Sequence, residues 1–462
     1  MNKKMFRTFV SHSIVSVALC AAAFMSMTVE AANVYYRWKT AGDGNWNDKA
    51  NWEWSSTSNG TYADLGEEIP VPNGSTDHVY FTLVGTYTVT MDNDVTVAQI
   101  YTGGGAANTI VKPTFNLNGH KFSVRNNNYS FGSITGGPGT TRIDSLTYPN
   151  TVWSFTNGTL VAVNNGSKLY GGGNGSNIGL SHGAYVFDNI SFLLKGGILW
   201  KGDFRIFVQN GATFTNNAEL ATYSNDNTVP SVWRPEFCVR GSGSEYYSPN
   251  GVKLGNNEAG LFAMDGALVN VESLIVGANA AATESGKMDV CSTNCYAFAT
   301  NGTIMVRGDL EVGSNYEKCV RPHLKIMEKN GVIMQTESYG KLKIYENTGA
   351  HIDIDIPAGG FTDSENIARA PLQANDIEFI ARDANMTQGD AFKLNVTGAA
   401  DWLEAHQGSK LILVELATAN PSLLEQVKDS VVSDVDVSNF KVSSDGRKLV
   451  LAKAIGFVIS VR

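Results

Sequence analysis

A corner signal recurs along this chain: an Asn-Gly or Asp-Gly pair that stands directly before a run of alternating apolar and polar residues. Asparagine and glycine adopt left-handed backbone angles at low cost, and a tight corner between two strands needs such angles. Short period-two runs separated by these corners predict a large all-β structure. The pairs are Asn118-Gly119, Asn157-Gly158, Asn210-Gly211, Asp265-Gly266, Asn301-Gly302 and Asn330-Gly331.

Two of these corners open the clearest internal repeat. DGALVNVESLIVG starts at Asp265 and NGTIMVRGDLEVG starts at Asn301, with Leu-x-Val before the final Gly in both, and a weaker copy, NGATFTNNAEL, starts at Asn210. Repeated units that cannot bury their apolar face alone favour stacking. The sequence therefore predicts a single-stranded-ladder β-solenoid similar to a right-handed parallel β-helix. A set of β-sandwiches is the alternative, and the uneven spacing of the corners favours the solenoid.

Length and composition agree with growth by stacking. The chain has 462 residues, more than the roughly 250–300 that one hydrophobic core organises. Only 17% of the residues are charged and 47 are glycine, whereas an average soluble domain has about 25% charged residues. Uncharged polar side chains favour strands and turns over helices. The net charge of −9, without clusters of Lys or Arg, argues against a nucleic-acid partner.

The best helix signal lies near the C-terminus. Asn420 is a helix cap, and Pro421 suits the first helical position, so a short helix is predicted over the LLEQVKDSV that follows. Phe440 to Lys453 predicts a hairpin that turns at Asp445-Gly446. The expected organisation is a signal peptide over 1–31, an N-terminal β cap region over 32–110, the β-solenoid over 111–360, and a small C-terminal β-rich cap with one short helix over 361–462.

The first 31 residues have the layout of a Sec signal peptide. A basic start from Lys3 to Arg7 leads into an apolar stretch from Ile14 to Met27, and Ala31 is small enough to precede the cleavage point. That stretch is shorter than the roughly 20 residues that span a bilayer, and no second long apolar run follows. We therefore expect secretion to the periplasm, the outer surface or the exterior of a bacterium, and no transmembrane segment in the mature chain. Lipid attachment at Cys20 is a minor alternative.

A tryptophan-rich motif opens the mature chain. YRWKTAGDGNWNDKANWEW starts at Tyr36, and IPVPNGSTDHVYF starts at Ile69. Together they resemble the opening of secreted bacterial proteins with autotransporter-associated β-strand repeats, in which W-x-(G-rich)-G-x-W-x-x-x-x-N-W leads through a Pro-rich turn to a D-x-V-x-F strand. The resemblance implies a passenger-like β-helix at the cell surface or released from it, of a kind usually without an assigned activity. The matching residues are Trp38, Gly44, Trp46, Asn51, Trp52, Pro72, Asp77, Val79 and Phe81.

The tryptophans of this motif allow two interpretations. Trp46, Trp52 and Trp54 are the candidate carbohydrate-binding residues, because flat aromatic faces stack on sugar rings. The same cluster can instead close the end of the solenoid as an apolar cap, which stacked folds require. We favour packing, since large aromatics usually bury area first, and expect Trp54 to be the most exposed member.

Two sets of polar residues suggest metal or acid–base chemistry. The first comprises Asp43, Asn45, Asn47 and Asp48, which offer oxygen ligands but lack the spacing of a calcium loop, so a structural turn is favoured. In the second, His351, Asp353 and Asp355 alternate with isoleucines, and consecutive side chains on that strand face would lie about 7 Å apart. The solvated face of a half-buried strand explains this pattern equally and is the favoured interpretation. We expect no metal and no cofactor.

The mature chain has four cysteines, Cys238, Cys291, Cys295 and Cys319. In an oxidising compartment three pairings are possible. Closure of Cys291 with Cys295 would leave Cys238 with Cys319, and disulfides are favoured because a zinc site would want a second close pair.

Known catalytic motifs are missing: the sequence has no G-x-S-x-G, no H-E-x-x-H and no phosphate loop with a lysine. We therefore expect a non-catalytic structural or adhesion-type protein that contacts glycans or other surfaces. One alternative is a polysaccharide-degrading β-helix enzyme, a lyase or a glycosidase, whose residues lie on neighbouring coils. A carbohydrate-binding module is the other alternative, and the oligomeric state stays open.

Overall fold

Strands dominate the structure, a computed structural model, and the predicted all-β class is confirmed. Helix is limited, within the described residues, to two short α-helices and to 3₁₀ turns at Lys49–Asn51 and Val437–Asn439. The described residues are 32–102, 111–125, 131–134, 152–163, 169–171, 183–196, 198–200, 204–218, 220–222, 236–255, 259–278, 292–315, 319–327, 330–363, 365–383 and 388–453. The predicted signal peptide, 1–31, lies outside them.

The elements are short and follow one another closely. The N-terminal strands are β1 (Val34–Trp38), β2 (Gly44–Asn45), β3 (Trp52–Ser55), β4 (Ala63–Asp64), β5 (Asp77–Phe81), β6 (Gly85–Thr90), β7 (Val95–Val97), β8 (Gln99–Thr102), β9 (Val111–Asn116), β10 (Lys121–Val124), β11 (Phe131–Ile134) and β12 (Val152–Ala162). The middle of the chain adds β13 (Leu169–Gly171), β14 (Gly183–Leu194), β15 (Ile198–Trp200), β16 (Phe204–Gln209), β17 (Thr213–Asn216), β18 (Leu220–Thr222), β19 (Glu236–Arg240), β20 (Glu245–Ser248), β21 (Val252–Leu254), β22 (Gly260–Met264), β23 (Leu268–Val271), β24 (Leu274–Val276), β25 (Ser292–Thr293), β26 (Tyr296–Thr300), β27 (Thr303–Val306) and β28 (Leu310–Val312). The C-terminal part adds β29 (Cys319–Val320), β30 (His323–Ile326), β31 (Val332–Gln335), β32 (Leu342–Tyr345), β33 (His351–Asp355), β34 (Leu372–Ala374), β35 (Ile377–Ile380), β36 (Lys393–Thr397), α1 (Ala399–Ala405), β37 (Lys410–Leu416), α2 (Pro421–Asp429), β38 (Val431–Ser433), β39 (Phe440–Val442) and β40 (Lys448–Ala452).

Most strands fall into three long ladders, which the chain visits in turn. One visit to all three is called a coil here, and each strand pairs in parallel with the strand of the same ladder in the next coil. Antiparallel pairs among the described strands are β1–β3, β3–β4, β37–β40 and β39–β40, near the two chain ends. Ladder 1 contains β1, β5, β8, β11, β13, β15, β18, β21, β24, β28, β32 and β35; ladder 2 contains β2, β6, β9, the first half of β12 and of β14, β16, β19, β22, β26, β30, β33, β36 and β38; ladder 3 contains β7, β10, the second half of β12 and of β14, β17, β20, β23, β27, β31, β34 and β37.

The internal repeat of the sequence is two neighbouring coils in register. In ladder 3, Val269 pairs with Ile304 and Val271 with Val306. The Leu-x-Val segments that close the two repeats pair as β24 and β28 in ladder 1. The weaker copy supplies β17, which pairs with β20, and β20 pairs with β23. The sequence similarity between the two repeats therefore reflects the stacking of their strands.

The core lies between the ladders and continues from coil to coil. Phe115, Phe155 and Phe187 occupy the same inward position on successive strands of ladder 2, with ring centroids 4.9 Å and 5.9 Å apart. Aromatic rings at this spacing contribute about 0.5–1.5 kcal/mol per pair beyond the area they bury. Each coil thus covers the inward side chains of its neighbours, which no coil can bury alone.

The corner between ladders 2 and 3 is where the predicted Asn-Gly and Asp-Gly turns lie. All six of their first residues have a positive φ, between 48° at Asn301 and 61° at Asn330, which confirms the left-handed corners. Asn189 has the same conformation, with φ 48°, although Ile190 follows it in place of glycine. The amide of Asn189 donates to Oδ1 of Asn157 at 3.0 Å, and the amide of Asn157 donates to Asn116 at 3.2 Å. The corner asparagines therefore link successive coils.

The predicted short helix and the predicted hairpin near the C-terminus are both present. Helix α2 begins at Pro421, and Oδ1 of Asn420 accepts the N–H of Leu423 at 3.4 Å. The strands β39 and β40 form the predicted hairpin, with Gly446 at φ 66°. Helix α1 was not predicted.

Candidate functional site

The tryptophans of the N-terminal motif lie in the core. Trp38, Trp46 and Trp52 are each 0% exposed, and their rings meet edge to face, with Trp46 and Trp52 centroids 4.8 Å apart. The indole N–H of Trp46 donates to the carbonyl of Pro72 at 2.8 Å, and that of Trp52 donates to the carbonyl of Trp46 at 2.7 Å. Two of the three candidate sugar-binding residues, Trp46 and Trp52, thus present no ring face to a ligand. Trp54 is half-buried against the same core. It is the most exposed of the four tryptophans, as expected from the sequence.

The other motif residues support this aromatic cluster. A Cβ at Gly44 would lie 2.8 Å from the Trp38 ring and 2.7 Å from the amide of Asn51, so only glycine fits there. Asn51 donates to the carbonyl of Asn45 and accepts from Thr40. The motif is explained by packing and hydrogen bonding.

The Asp/Asn turn that follows Trp38 is structural, as favoured from the sequence. Asp43 accepts the backbone N–H of Thr88 at 2.6 Å, and Asp48 accepts that of Ala50 at 2.9 Å. Asn45 and Asn47 both donate to Asp92. Hydrogen bonds within the protein therefore hold this turn.

An aromatic surface lies on the opposite side of the strands that carry the buried motif. Tyr35 and Arg37 alternate with buried residues on β1, and His78 and Tyr80 do the same on β5. Parallel register places Tyr35 beside His78, and Arg37 beside Tyr80 and then Tyr101. We call this surface the aromatic face, and its residues are Tyr35, Arg37, Tyr62, His78, Tyr80 and Tyr101.

The aromatic face is closely stacked. The rings of Tyr80 and Tyr101 lie 4.6 Å apart and only 5° from parallel, and His78 stacks on Tyr35 at 5.0 Å. Arg37 lies 4.3 Å above the Tyr62 ring. The four tyrosines are half-buried, whereas His78 is 9% exposed. The aromatic face is therefore a closely packed apolar surface that carries phenol groups.

Polar groups border this surface. The guanidinium of Arg37 contacts the carboxylate of Glu53 at 2.5 Å. Burial raises the pKa of Tyr101 to about 12 and lowers the pKa of His78 below its usual value. At neutral pH Tyr101 therefore carries its O–H group and the imidazole of His78 is uncharged. Phenol, imidazole and guanidinium groups around stacked rings are suited to binding hydroxyl-rich ligands.

The sequence contained a signal for this surface that the prediction did not use. The strand period of two places Tyr35, His78 and Tyr80 on the face opposite Trp38 and Phe81. The prediction followed the tryptophan motif, which marks the inward face.

A second outward surface contains the predicted His351, Asp353 and Asp355. Their side chains lie on the outer side of β33 and the isoleucines between them are buried, as the favoured interpretation expected. The neighbouring strand brings His323 close: its Nδ1 lies 3.6 Å from Oδ2 of Asp353, and its ring lies 5.1 Å from the ring of His351. We call this the histidine face, and its residues are Tyr296, His323, Lys325, His351, Asp353, Asp355, Lys393, Asn395 and Thr397.

The carboxylates of the histidine face are held by neighbours. The amide of Asn395 donates to Asp353 at 2.6 Å, and the hydroxyl of Thr397 donates to Asp355 at 2.7 Å. Burial alone would raise the pKa of Asp353, but the nearby imidazole of His323 and the hydrogen bond from Asn395 bring that pKa below its usual value. A general acid needs the opposite shift. No group of three or more His, Cys, Asp or Glu side chains in the described part of the chain is arranged to hold a metal ion.

The predicted disulfide between Cys238 and Cys319 is wrong. Cys238 is a free, buried thiol on the outer side of β19, between Phe207 and Phe262 on the adjacent strands, and its sulfur lies 3.9 Å from that of Met264. Burial raises the pKa of Cys238 to about 12, so the thiol stays protonated. Ladder stacking separates it by several coils from Cys319 on β29, a distance that a disulfide cannot span.

The second predicted disulfide, between Cys291 and Cys295, includes one residue that the structure does not describe. Cys295 is buried beside the start of β26, and Cys291 lies outside the described residues.

Comparison with known proteins finds no matching family model, no matching curated protein and no matching solved structure. No helix in the described segments is long and apolar enough to cross a bilayer.

Proposed function

We propose that this chain is a secreted bacterial surface protein, a parallel β-solenoid of the passenger-like type, whose aromatic face contacts glycans. The solenoid is supported by the order in which the chain visits three parallel ladders and by the core that runs through them. The kinship with proteins that carry autotransporter-associated repeats is supported by the N-terminal motif. Secretion is supported by the character of residues 1–31.

One observation carries the glycan contact: the stacked, half-buried tyrosines Tyr80 and Tyr101, with Tyr35 and His78 beside them on an outer surface. Tyrosine combines an apolar ring with a polar hydroxyl, and sugars likewise combine apolar ring faces with hydroxyls. Stacked side chains on strands have lost most of their rotational freedom before binding, so a ligand does not have to order them.

Retention on insoluble polysaccharides tests the proposal. The mature chain, 32–462, is incubated with cellulose, chitin, xylan and peptidoglycan, and the bound fraction is measured. The Tyr80→Ala/Tyr101→Ala variant should lose at least tenfold in affinity for the polysaccharide that retains the wild type, which corresponds to about 1.4 kcal/mol. Tyr339→Ala is the matched control, because Tyr339 is 65% exposed and lies far along the chain.

The same samples separate adhesion from catalysis. Soluble fragments or new reducing ends would replace the proposal with the polysaccharide-degrading alternative. Equal retention of the double variant, with its fold intact by circular dichroism, would remove the aromatic face from the proposal.

A further inference from the structure

The histidine face combines residues of four consecutive coils. In ladder 2, Tyr296, His323, His351 and Lys393 occupy one row in strict register. The next row, two positions along the strands, contains Phe298, Lys325, Asp353 and Asn395. Neighbouring strands lie about 4.8 Å apart, so each row offers one side chain per step of that length.

The carboxylates and the lysines of this face differ in the hydrogen bonds and ion pairs that they make. Asp353 is bound by Asn395 and lies beside His323, and Asp355 is bound by Thr397. By contrast, Lys325 lies over the ring of Tyr296, at 5.1 Å, with Asp353 as its register neighbour, and no ion pair among the described residues includes Lys325 or Lys393.

Two lysines without an ion pair therefore flank the strand that carries His351. Lys325 and Lys393 stand on β30 and β36, two coils apart, which is about 10 Å along the ladder. Lys393 is exposed and Lys325 is half-buried over an aromatic ring, so both ammonium groups can meet an anion. An extended chain of acidic sugars presents its charges at intervals of this order.

The imidazoles between the lysines provide unused hydrogen-bonding capacity. Nε2 of His351 is buried and has no hydrogen-bond partner among the described residues. A buried polar nitrogen without a partner costs free energy, and a ligand hydroxyl would recover that cost. The charged groups that face His351 are His323, Asp353, Lys393 and Arg321.

We propose that the histidine face binds an anionic polysaccharide along ladder 2, with acidic groups of the sugar against Lys325 and Lys393 and a sugar hydroxyl at Nε2 of His351. The flat ring of Tyr296 continues the row beyond His323. This site is separate from the aromatic face and rests only on the proposed location outside the cytoplasm.

Affinity electrophoresis of the mature chain in gels that contain polygalacturonate, dextran sulfate or neutral dextran tests the proposal. We expect retardation by one or both polyanions, weakened by added salt, and none by neutral dextran. Retardation by polygalacturonate alone assigns a carboxylate ligand, and retardation by dextran sulfate alone assigns a sulfate ligand. Equal retardation by neutral dextran, or no retardation by either polyanion, overturns the proposal.

Variants locate the binding. Lys325→Gln/Lys393→Gln should weaken polyanion binding at least tenfold, and His351→Gln should weaken it by a smaller factor. Lys410→Gln/Lys441→Gln is the control with the same change in charge, because both lysines are exposed and lie outside ladder 2, on β37 and β39. If the control loses as much polyanion binding, the effect comes from net charge alone and the proposed site is overturned.

A last variant distinguishes this proposal from the function assigned to the aromatic face. Tyr80→Ala/Tyr101→Ala should keep full polyanion binding. If it abolishes that binding while Lys325→Gln/Lys393→Gln does not, the anionic ligand belongs to the aromatic face and the histidine face is not its site.

Discussion

Burial decides what the motif tryptophans do. Trp46 is fully buried and makes a hydrogen bond, whereas Trp54 is half-buried at the edge of the same cluster. A residue of the first kind contributes to stability, and one of the second kind contributes less.

We predict that Trp46→Ala destabilises the protein by about 3–5 kcal/mol, because it leaves a large cavity and an unpaired carbonyl at Pro72. Trp54→Ala, the matched control, should cost less than half as much. Urea unfolding followed by tryptophan fluorescence measures both. Equal effects of the two substitutions would contradict the packing role of Trp46.

The corner asparagines combine two properties at one residue. Asn157 has φ 57° and exchanges amide hydrogen bonds with both neighbouring coils. Asn157→Ala should cost about 1–2 kcal/mol for the left-handed backbone. Asn157→Gly removes the side-chain amide but keeps the backbone conformation, so it should lower the stability less than Asn157→Ala does. Thermal unfolding ranks the two variants, and a larger loss in the glycine variant would show that the backbone angle is not what asparagine supplies.

His78 makes the stability of the N-terminal coils depend on pH. Burial lowers its pKa in the folded state, whereas the unfolded state takes up a proton near pH 6.5. Between the folded-state pKa and pH 6.5 the unfolded state binds more protons, so the free energy of unfolding falls as the pH is lowered from 7 to 5. His78→Gln should flatten this part of the profile in urea unfolding at several pH values. A profile identical to that of the wild type would contradict the assignment.

Strands owe their position to the alternation of buried and exposed residues. Ile304 is 0% exposed and pairs with Val269 and Ile333 on the neighbouring coils, whereas the next residue, Met305, lies on the outer side of the same strand. One position along β27 therefore separates the core from the surface.

We predict that Ile304→Lys prevents folding of the central coils, since an unpaired ammonium group in the core costs several kcal/mol. Met305→Lys should change stability by no more than about 0.5 kcal/mol. Soluble yield and resistance to trypsin report the difference. A soluble, trypsin-resistant Ile304→Lys protein would show that the register of this ladder is different.

The sequence patterns predicted the strands and corners well wherever the stacking of coils requires those patterns. The corners, the paired repeats and helix α2 with its Asn420 cap follow from local rules. Helix α1 begins after Gly398, which has φ 75° and no capping side chain, so the sequence carried no start signal for it. Its position depends on Trp402 and Leu403, which are buried against the last coils.

The molecule as a whole should tolerate loss of a complete coil, because each coil contacts only its neighbours. Gly260 pairs in register with Tyr296, so deletion of residues 260–295 joins Ala259 to the strand that already stacks on the missing one. We expect a soluble, β-rich protein of lower stability.

A half-coil deletion is the control for that experiment. Removal of residues 260–267, which contain β22 and the corner after it, should give insoluble protein, because β23 would then meet ladder 2 in place of ladder 3. Circular dichroism and gel filtration compare the two deletions. Failure of the whole-coil deletion alone would contradict the proposed solenoid.

The sequence by itself determined the all-β class, the left-handed corners and the packing role of the motif, because these depend on backbone preference and on the alternation of neighbouring residues. Only the tertiary structure brought His323 beside Asp353 and aligned Tyr35, His78, Tyr80 and Tyr101 on one surface. Their separations along the chain are set by loops of unequal length, which no local pattern encodes. The same reason separates Cys238 from Cys319: the order of coils along the ladder, and not the expected location of the protein, decides which cysteines can meet.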